Sequence, residues 1–567
     1  MKKLLTLIMI FAMSAFAVQA QSIKEARNEI YYQRYETAKT VLQSVISNDK
    51  TPEAFYLLGE IYLKEKNNDA ARKILQQGLD YVKAEDISMK KAPLVHIGWA
   101  HLLLNEGKTA EARQLMEEVL NAGKNKDADA LYAAGRANID SKYGDITWAV
   151  ATLGKAVNRD RKNPAVYTAL ADAYKKAIDG SNAVIFYDKA LSVDSKFAEA
   201  MYKKGRLYKS HNNPQVYLEK FRTALTIDEN YAPAMYELYY YYFYTDVAYA
   251  KEYLDKYEQV AEKSIELDYM KTDLLFVSQK YPEAISSANA IMTKAGKGVK
   301  PRIYKLLAYS QAYSGDSVSA LKNMNTYFEK QIDTSIVAKD FELKAKLLET
   351  LNPDKSLALE WYKKAVAAEE DKKERTGYMY ALADIQKELG NREREAVWRE
   401  AVFTNKEKPT NLDIYKWGMA LYSDEDYVKA DSVFAIYESK YPEQIHGYLW
   451  RARCNALIDT AMTMGLAVPH YVKLARVADS VDAQKNKAVI LRAYNYLGIY
   501  EANITKNYPV SLGYFEKMLA IDPANADGLK FSEILKGWIE KANAEDANTE
   551  KETKTQTGTA TNAESGK

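Results

Sequence analysis

From Pro164 to Tyr231 the chain reads PAVYTALADAYKKAIDGSNAVIFYDKALSVDSKF and then, without a gap, AEAMYKKGRLYKSHNNPQVYLEKFRTALTIDENY. These are two segments of thirty-four residues in one register. Ala171, Ala183, Tyr187 and Ala190 of the first fall on Gly205, Tyr217, Phe221 and Ala224 of the second, and KALSVDSKF answers TALTIDENY. A unit of this length is too thin to bury its own apolar face, so it must stack on its neighbours. The chain then grows as a solenoid instead of enlarging one core.

The same ruler extends in both directions. A small residue is followed twelve positions on by Ala, four further by a bulky residue, and three further by a fourth recurring position. Gly59, Ala71, Leu75, Gly78 is one such set, and Ala100, Ala112, Met116, Val119 is a second. Ala308, Ala320, Met324, Tyr327 and Gly418, Ala430, Phe434, Tyr437 follow it too. Steps of three and four are helical, and the twelve-residue step crosses a turn marked by Gly107-Lys108, Gly315-Asp316 and Asp424-Glu425-Asp426. Each unit is therefore a helix, a short turn and a second helix. The small residues mark the crossing point, where a larger side chain would force the axes beyond the ordinary spacing of about 8–10 Å.

These units resemble tetratricopeptide repeats, whose period and small/Tyr/Ala/Phe/Pro pattern they share. The closest copies begin near Pro52, Pro93, Pro164, Ala198, Pro301 and Asn411, and looser ones near Ser22, Asp129, Ala232, Tyr269, Lys339, Tyr378, Ile445 and Leu491. With a terminal helix this makes about fifteen hairpins. The resemblance implies an all-α, right-handed superhelical solenoid. Departures from the ruler suggest two lobes. Tyr239 stands where a small crossing residue belongs, which should hold its two helices apart, and AGKGVKP before Arg302 reads as a flexible connection. The expected organisation is a leader over 1–20, an N-terminal lobe over 21–265, an irregular repeat and hinge over 266–300, and a C-terminal lobe over 301–545. IDTAMTMGLAVPH should lengthen the turn of a late unit. DGLKFSEILKGWIEKA should be a capping helix with Trp538 on its packed side, and 546–567 a disordered tail.

The leader is read from Lys2 and Lys3, an apolar run from Leu4 to Val18, and the small residues Val18 and Ala20 before a cut after Ala20. It looks bacterial and implies a Gram-negative periplasm. No Cys stands at the cut to carry a lipid, and no later run is long enough to span a membrane. The chain carries 79 basic and 77 acidic residues; without Lys2 and Lys3 the balance is even, which argues against nucleic acid as a partner.

The residues offer little chemistry. His96 and His101 are five apart and share no helix face, so they read as polar or partly packed side chains and not as metal ligands. Cys454, the single cysteine, reads as a small buried apolar residue with no base or orienting group in view. Phosphate-binding glycine loops are absent. No catalytic residue, metal site or cofactor is therefore expected.

Tyrosine is the compositional outlier, at 45 against 14 Phe. Most of these rings are expected to be structural, since Tyr can bury its ring and keep its hydroxyl wet. The resemblance implies that the first helix of each hairpin lines a concave groove that takes peptides or helices. On that basis the candidate groove residues are Lys175, Lys176, Tyr202, Arg206, Lys209, Tyr236, Tyr240, Phe243, Tyr244, Lys305, Tyr309 and Tyr313. The family's carboxylate clamps use Lys and Asn, whereas Thr168, Asp172, Tyr202 and Arg206 occupy those places here. The expected function is a non-enzymatic periplasmic scaffold for other envelope proteins or peptide segments, peripherally associated with outer-membrane complexes. The alternative is a glycan-binding protein of an outer-membrane uptake system, in which exposed Tyr rings stack on sugars.

Overall fold

The structure, a computed structural model, describes residues 22–560, so the expected leader and the last seven residues lie outside it. Among the described residues there is no strand. The chain divides into two units between Val299 and Lys300. In the first, α1 (22–31) pairs with α2 (Tyr35–Asn48), α3 (Pro52–Lys64) with α4 (Asn68–Ala84), α5 (Pro93–Asn105) with α6 (Thr109–Ala122), and α7 (Ala128–Asp140) with α8 (Ile146–Arg159). The series continues with α9 (Pro164–Lys176) and α10 (Gly180–Val193), α11 (Ala198–Ser210) and α12 (Pro214–Ile227), α13 (Ala232–Phe243) and α14 (Val247–Val260), and α15 (Ile265–Val277) and α16 (Tyr281–Ala295).

The second unit runs through α17 (Arg302–Tyr313) and α18 (Ser317–Lys330), α19 (Ala338–Leu351) and α20 (Ser356–Ala368), and α21 (Lys372–Glu388) and α22 (Arg392–Asn405). It continues with α23 (Asn411–Ser423) and α24 (Tyr427–Lys440), α25 (Ile445–Ile458) and α26 (Val468–Asp482), α27 (Lys487–Tyr500) and α28 (Tyr508–Ile521), and ends on α29 (Ala526–Ala560). Most hairpins open at or within one residue of the expected positions. Those expected at Tyr269, Tyr378 and Leu491 open earlier, at Ile265, Lys372 and Lys487. Their first turns carry residues such as Glu266, Lys372, Lys373 and Lys487, so the apolar pattern starts inside the helix.

The sequence ruler has a direct steric meaning. A Cβ at Gly59 would stand 2.6 Å from the Leu75 side chain, one at Gly205 2.7 Å from Phe221, and one at Gly418 2.6 Å from Phe434. At the equivalent positions Ala100 and Ala308 are fully buried, as are Ala112 and Ala320. Most of the hairpin turns hold a residue in the left-handed region. Gly107 and Gly315 supply it at φ 81° and 86°, and Lys66, Ile178, Asn212 and Glu425 accept it without being glycine. The following helices are capped by side chains that accept from their first free N–H groups: Asn67 from Ala70, Asp179 from Asn182, Asn213 from Val216, Asp316 from Ser319 and Asp426 from Lys429.

The expectations for Tyr239 and Trp538 are corrected. Tyr239 does not hold its helices apart. It is 1% exposed, its ring packs among Ala250, Leu254 and Met270, and its hydroxyl donates to the Met270 carbonyl at 3.0 Å, so α13 and α14 pack like the other pairs. Residues 266–300, expected as an irregular repeat and hinge, hold the helical pair α15 and α16 and the division between the two units at Val299–Lys300. Trp538 is 46% exposed and touches Tyr508 along its ring, so it sits at the rim of the packed face of α29. That helix itself runs beyond residue 545. The long turn of the late unit spans 459–467, where the buried Asp459 carboxylate accepts from the backbone of Met464 and Leu466.

Candidate functional site: a closed bore in the first unit

The turn of the first hairpin reaches segments nearly two hundred residues away. Tyr31 packs against Phe197 and Tyr231 at centroid distances of 5.8 and 5.3 Å, and the Tyr32 hydroxyl donates to Asp228 at 2.9 Å. Arg34 Nε donates to the Val260 carbonyl at 2.8 Å. Glu262 accepts from the backbone N–H of Glu36 at 3.1 Å and of Thr37 at 2.6 Å, capping α2 from a distant repeat. Within the first unit the solenoid therefore returns to its own start. It encloses a bore of about 880 Å³, in the size range of ligand cavities.

The first helices of successive hairpins build the bore wall. Arg27 and Tyr31 come from α1, Tyr56, Glu60 and Lys64 from α3, His101 from α5, Tyr132, Arg136 and Asp140 from α7, and Glu199 and Lys203 from α11. The spacing of four residues within each set places it on one helix face.

Much of the charge on this wall is paired. Arg136 donates to Asp140 at 2.8 Å and to Asp172 at 2.6 Å, and Lys203 donates to Asp172 at 2.7 Å and lies 2.8 Å from Glu199. The Tyr187 hydroxyl completes the shell of Asp172 at 2.6 Å. Burial alone would raise the Asp172 carboxyl; the charges of Lys203 and Arg136 outweigh it and hold the group down at about 2. Arg136 and Lys203 are raised in turn, because their acidic neighbours overcome the desolvation that would lower them. His101, 4% exposed, faces Glu60 at 3.0 Å; burial lowers its pKa, but the Glu60 charge wins and raises it. Lys64 donates to the Tyr35 hydroxyl, and burial, aided by the nearby Arg136, lowers it.

The candidate groove residues of α9, α11 and α13 lie beside this wall and outside the bore lining. Tyr202 is buried against Phe221 and Tyr231, one position away from the bore-facing Lys203. Arg206 and Lys209 converge on Glu237 at 3.4 and 2.5 Å. Lys175 is half-buried, and Lys176 donates to the backbone carbonyls of Ile139 and Ser141. Tyr236 and Tyr240 do form a pair, at 4.6 Å, with Phe243 half-buried behind them and Tyr244 79% exposed. In the second unit Lys305 and Tyr309 both donate to the buried Asp340, at 2.8 and 3.0 Å, while Tyr313 is 59% exposed.

Sequence reasoning missed Glu60, Arg136, Asp140, Glu199 and Lys203. The available signal was a charge recurring directly after the small crossing residue of successive first helices, in Glu60, Arg136 and Asp172; Lys203 lies off that position and left no such signal. His101 was read as polar or partly packed, and the structure pairs it with Glu60. Cys454 is fully buried as expected, and burial pushes its thiol up to about 12. Among the described residues no cluster of His, Cys, Asp or Glu is arranged to hold a metal, and no helix is long and apolar enough to cross a membrane.

A family model described as tetratricopeptide repeat matches residues 23–84, the span of the first two hairpins. Among solved structures, the C-terminal part of a TPR repeat-containing protein from Cytophaga hutchinsonii is 30% identical, the match covering 46% of this chain and 98% of that one at a TM-score of 0.30. A tetratricopeptide repeat protein from Parabacteroides merdae is 20% identical over 44% of this chain and 96% of its own, with a TM-score of 0.32. YrrB, described as a TPR protein with an unusual peptide-binding site, is 22% identical over 32% of this chain and 93% of its own, with a TM-score of 0.28. No curated protein matches the chain. The repeat ruler and the family model over the first two hairpins lead to one conclusion: this chain carries tetratricopeptide repeats.

Proposed function

We propose that this protein is a non-enzymatic scaffold that holds protein or peptide partners, exported to the periplasm of a Gram-negative bacterium to serve an envelope process. The observation that carries the reading is the bore wall, in which tyrosine rings alternate with ion pairs that already satisfy one another. Such a wall offers ring burial and hydroxyl hydrogen bonds to a chain segment. Export is supported by Lys2, Lys3, the apolar run Leu4–Val18 and the small residues before Ala20. Peripheral association with outer-membrane complexes follows from the same reading.

The test is capture of cross-linked partners from envelope extracts, using the full chain and three variants. Lys64→Glu reports on the bore, and Arg206→Glu and Tyr240→Ala on the surface beside it. Loss of a defined set of proteins with any of these supports the scaffold and places its binding surface. Unchanged capture with all three rejects the reading. Fractionation of the expressed chain, with the N-terminus of the mature product determined, tests the location: a cytoplasmic product that keeps residues 1–20 rejects it.

A further inference from the structure

The bore is ringed by repeats of unequal standing. Each internal hairpin is held on both sides by a full helix–helix interface, as α9–α10 is between α7–α8 and α11–α12. The first hairpin opens the series and stacks through α2 on α3, over Ala38, Leu42 and Val45. Its other side meets the ring at a few points: the Tyr31 ring on Phe197 and Tyr231, the Tyr32 hydroxyl on Asp228, Arg34 on the Val260 carbonyl and Glu262 on the start of α2. Apart from the ring contact these are hydrogen bonds at or near the surface, each of modest net strength. In a stacked array the terminal unit opens first, because it has one neighbour to lose instead of two.

From this asymmetry we propose that the α1–α2 hairpin is a releasable latch. It closes the first unit around the bore and swings on its α3 interface to admit a partner too large for the closed ring. This rests on the bore being the binding surface of the scaffold. The latch itself is testable without a partner.

The bore reporter is a thiol placed in the wall by Ala165→Cys, in the full chain with Cys454→Ala so that no other thiol is present. Two probes are used: N-ethylmaleimide, which fits the closed bore, and a polyethylene glycol maleimide, which does not. The expected result is that the small reagent labels the bore thiol readily and the large one labels it at least about tenfold more slowly, since it must wait for release. Removing the latch contacts with Tyr31→Ala and Arg34→Ala should raise the large reagent's rate by about tenfold and leave the small reagent's rate within about twofold. Glu262→Gln, a milder change, should act in the same direction by a smaller factor.

A second reporter, Ala190→Cys, replaces a fully buried residue of α10 that does not line the bore, and its thiol should stay unreactive in every latch variant. Equal labelling of the bore thiol by both reagents in the chain with an intact latch overturns the proposal. So does a large-reagent rate that ignores the latch variants. Labelling of the second reporter in step with the first also overturns it, because the unit would then open as a whole. If the latch behaves as expected and the bore variant captures the same partners as the parent, the scaffold reading of the bore fails and the latch stands.

Discussion

Replacing Asp172 with Asn tests the electrostatic centre of the first unit. The substitution keeps the shape and an acceptor for the Tyr187 hydroxyl but removes the charge that Arg136 and Lys203 share. The parent carboxyl lies at about 2 against an ordinary 3.8, a difference of about 1.8 units, which converts to about 2 kcal/mol of folding free energy. Because the folded value is depressed, this stabilisation is complete above pH 3.8 and disappears as the pH falls through about 2. At neutral pH, hydrogen exchange in the peptides covering α9–α11 of the full chain should therefore speed up about thirtyfold in the variant, with intrinsic rates corrected. Between pH 4 and pH 2 the difference should close, since the parent carboxyl is becoming neutral as well. Equal protection at pH 7, or a deficit of the same size at both ends of that range, would refute the reasoning.

Other outcomes follow from single contacts. Gly205→Val should destabilise α11–α12 by about 1–3 kcal/mol, read as loss of exchange protection there, because a Cβ already meets Phe221 at 2.7 Å. Glu60→Gln should lower the pKa of His101 in an NMR titration, since the Glu60 charge is what raises it; in the parent the pair's contribution is complete below about pH 6.5 and fades as pH rises through the folded value. Lys344, 3.6 Å from the Trp361 ring centroid, has its amine lowered to about 8 by burial and by the Lys364 charge. It should be among the fastest amines acetylated by a limiting reagent at pH 8, as read by peptide mass spectrometry.

The stacked architecture was legible because it is enforced locally. Where two helices cross, no volume is available, so Gly59, Gly205 and Gly418 or an alanine must recur, and the recurrence is visible in one dimension. The bore was not legible for two reasons. Which face of a first helix turns inward depends on how far each pair rotates on the last, and an error of one residue exchanges Lys203 for the buried Tyr202. Ring closure joins residues 31–37 to residues 197–262, a contact between hairpins several repeats apart that leaves no spacing signature. A trace of it was present in the two phrases that end the founding repeats, KALSVDSKF and TALTIDENY. Their terminal aromatics, Phe197 and Tyr231, receive Tyr31 from the first hairpin.

The balance of charge on the bore wall limits what its electrostatics can do. Arg136 and Lys203 already face Asp140, Asp172 and Glu199 at 2.6 to 2.8 Å, so an incoming ion would have to displace an existing partner and would gain only the difference. Attraction at long range is weak for the same reason, because paired charges cancel within a Debye length. Affinity for a segment in the bore then comes from covering the Tyr35, Tyr56 and Tyr132 rings that the wall presents, while the ion pairs fix the shape of the wall. This division explains why the chain keeps a costly charged network where a groove of free lysines would draw acidic segments indiscriminately. On the proposed reading, ring surface would select by fit, and the network would keep that surface in place while the first hairpin opens and closes.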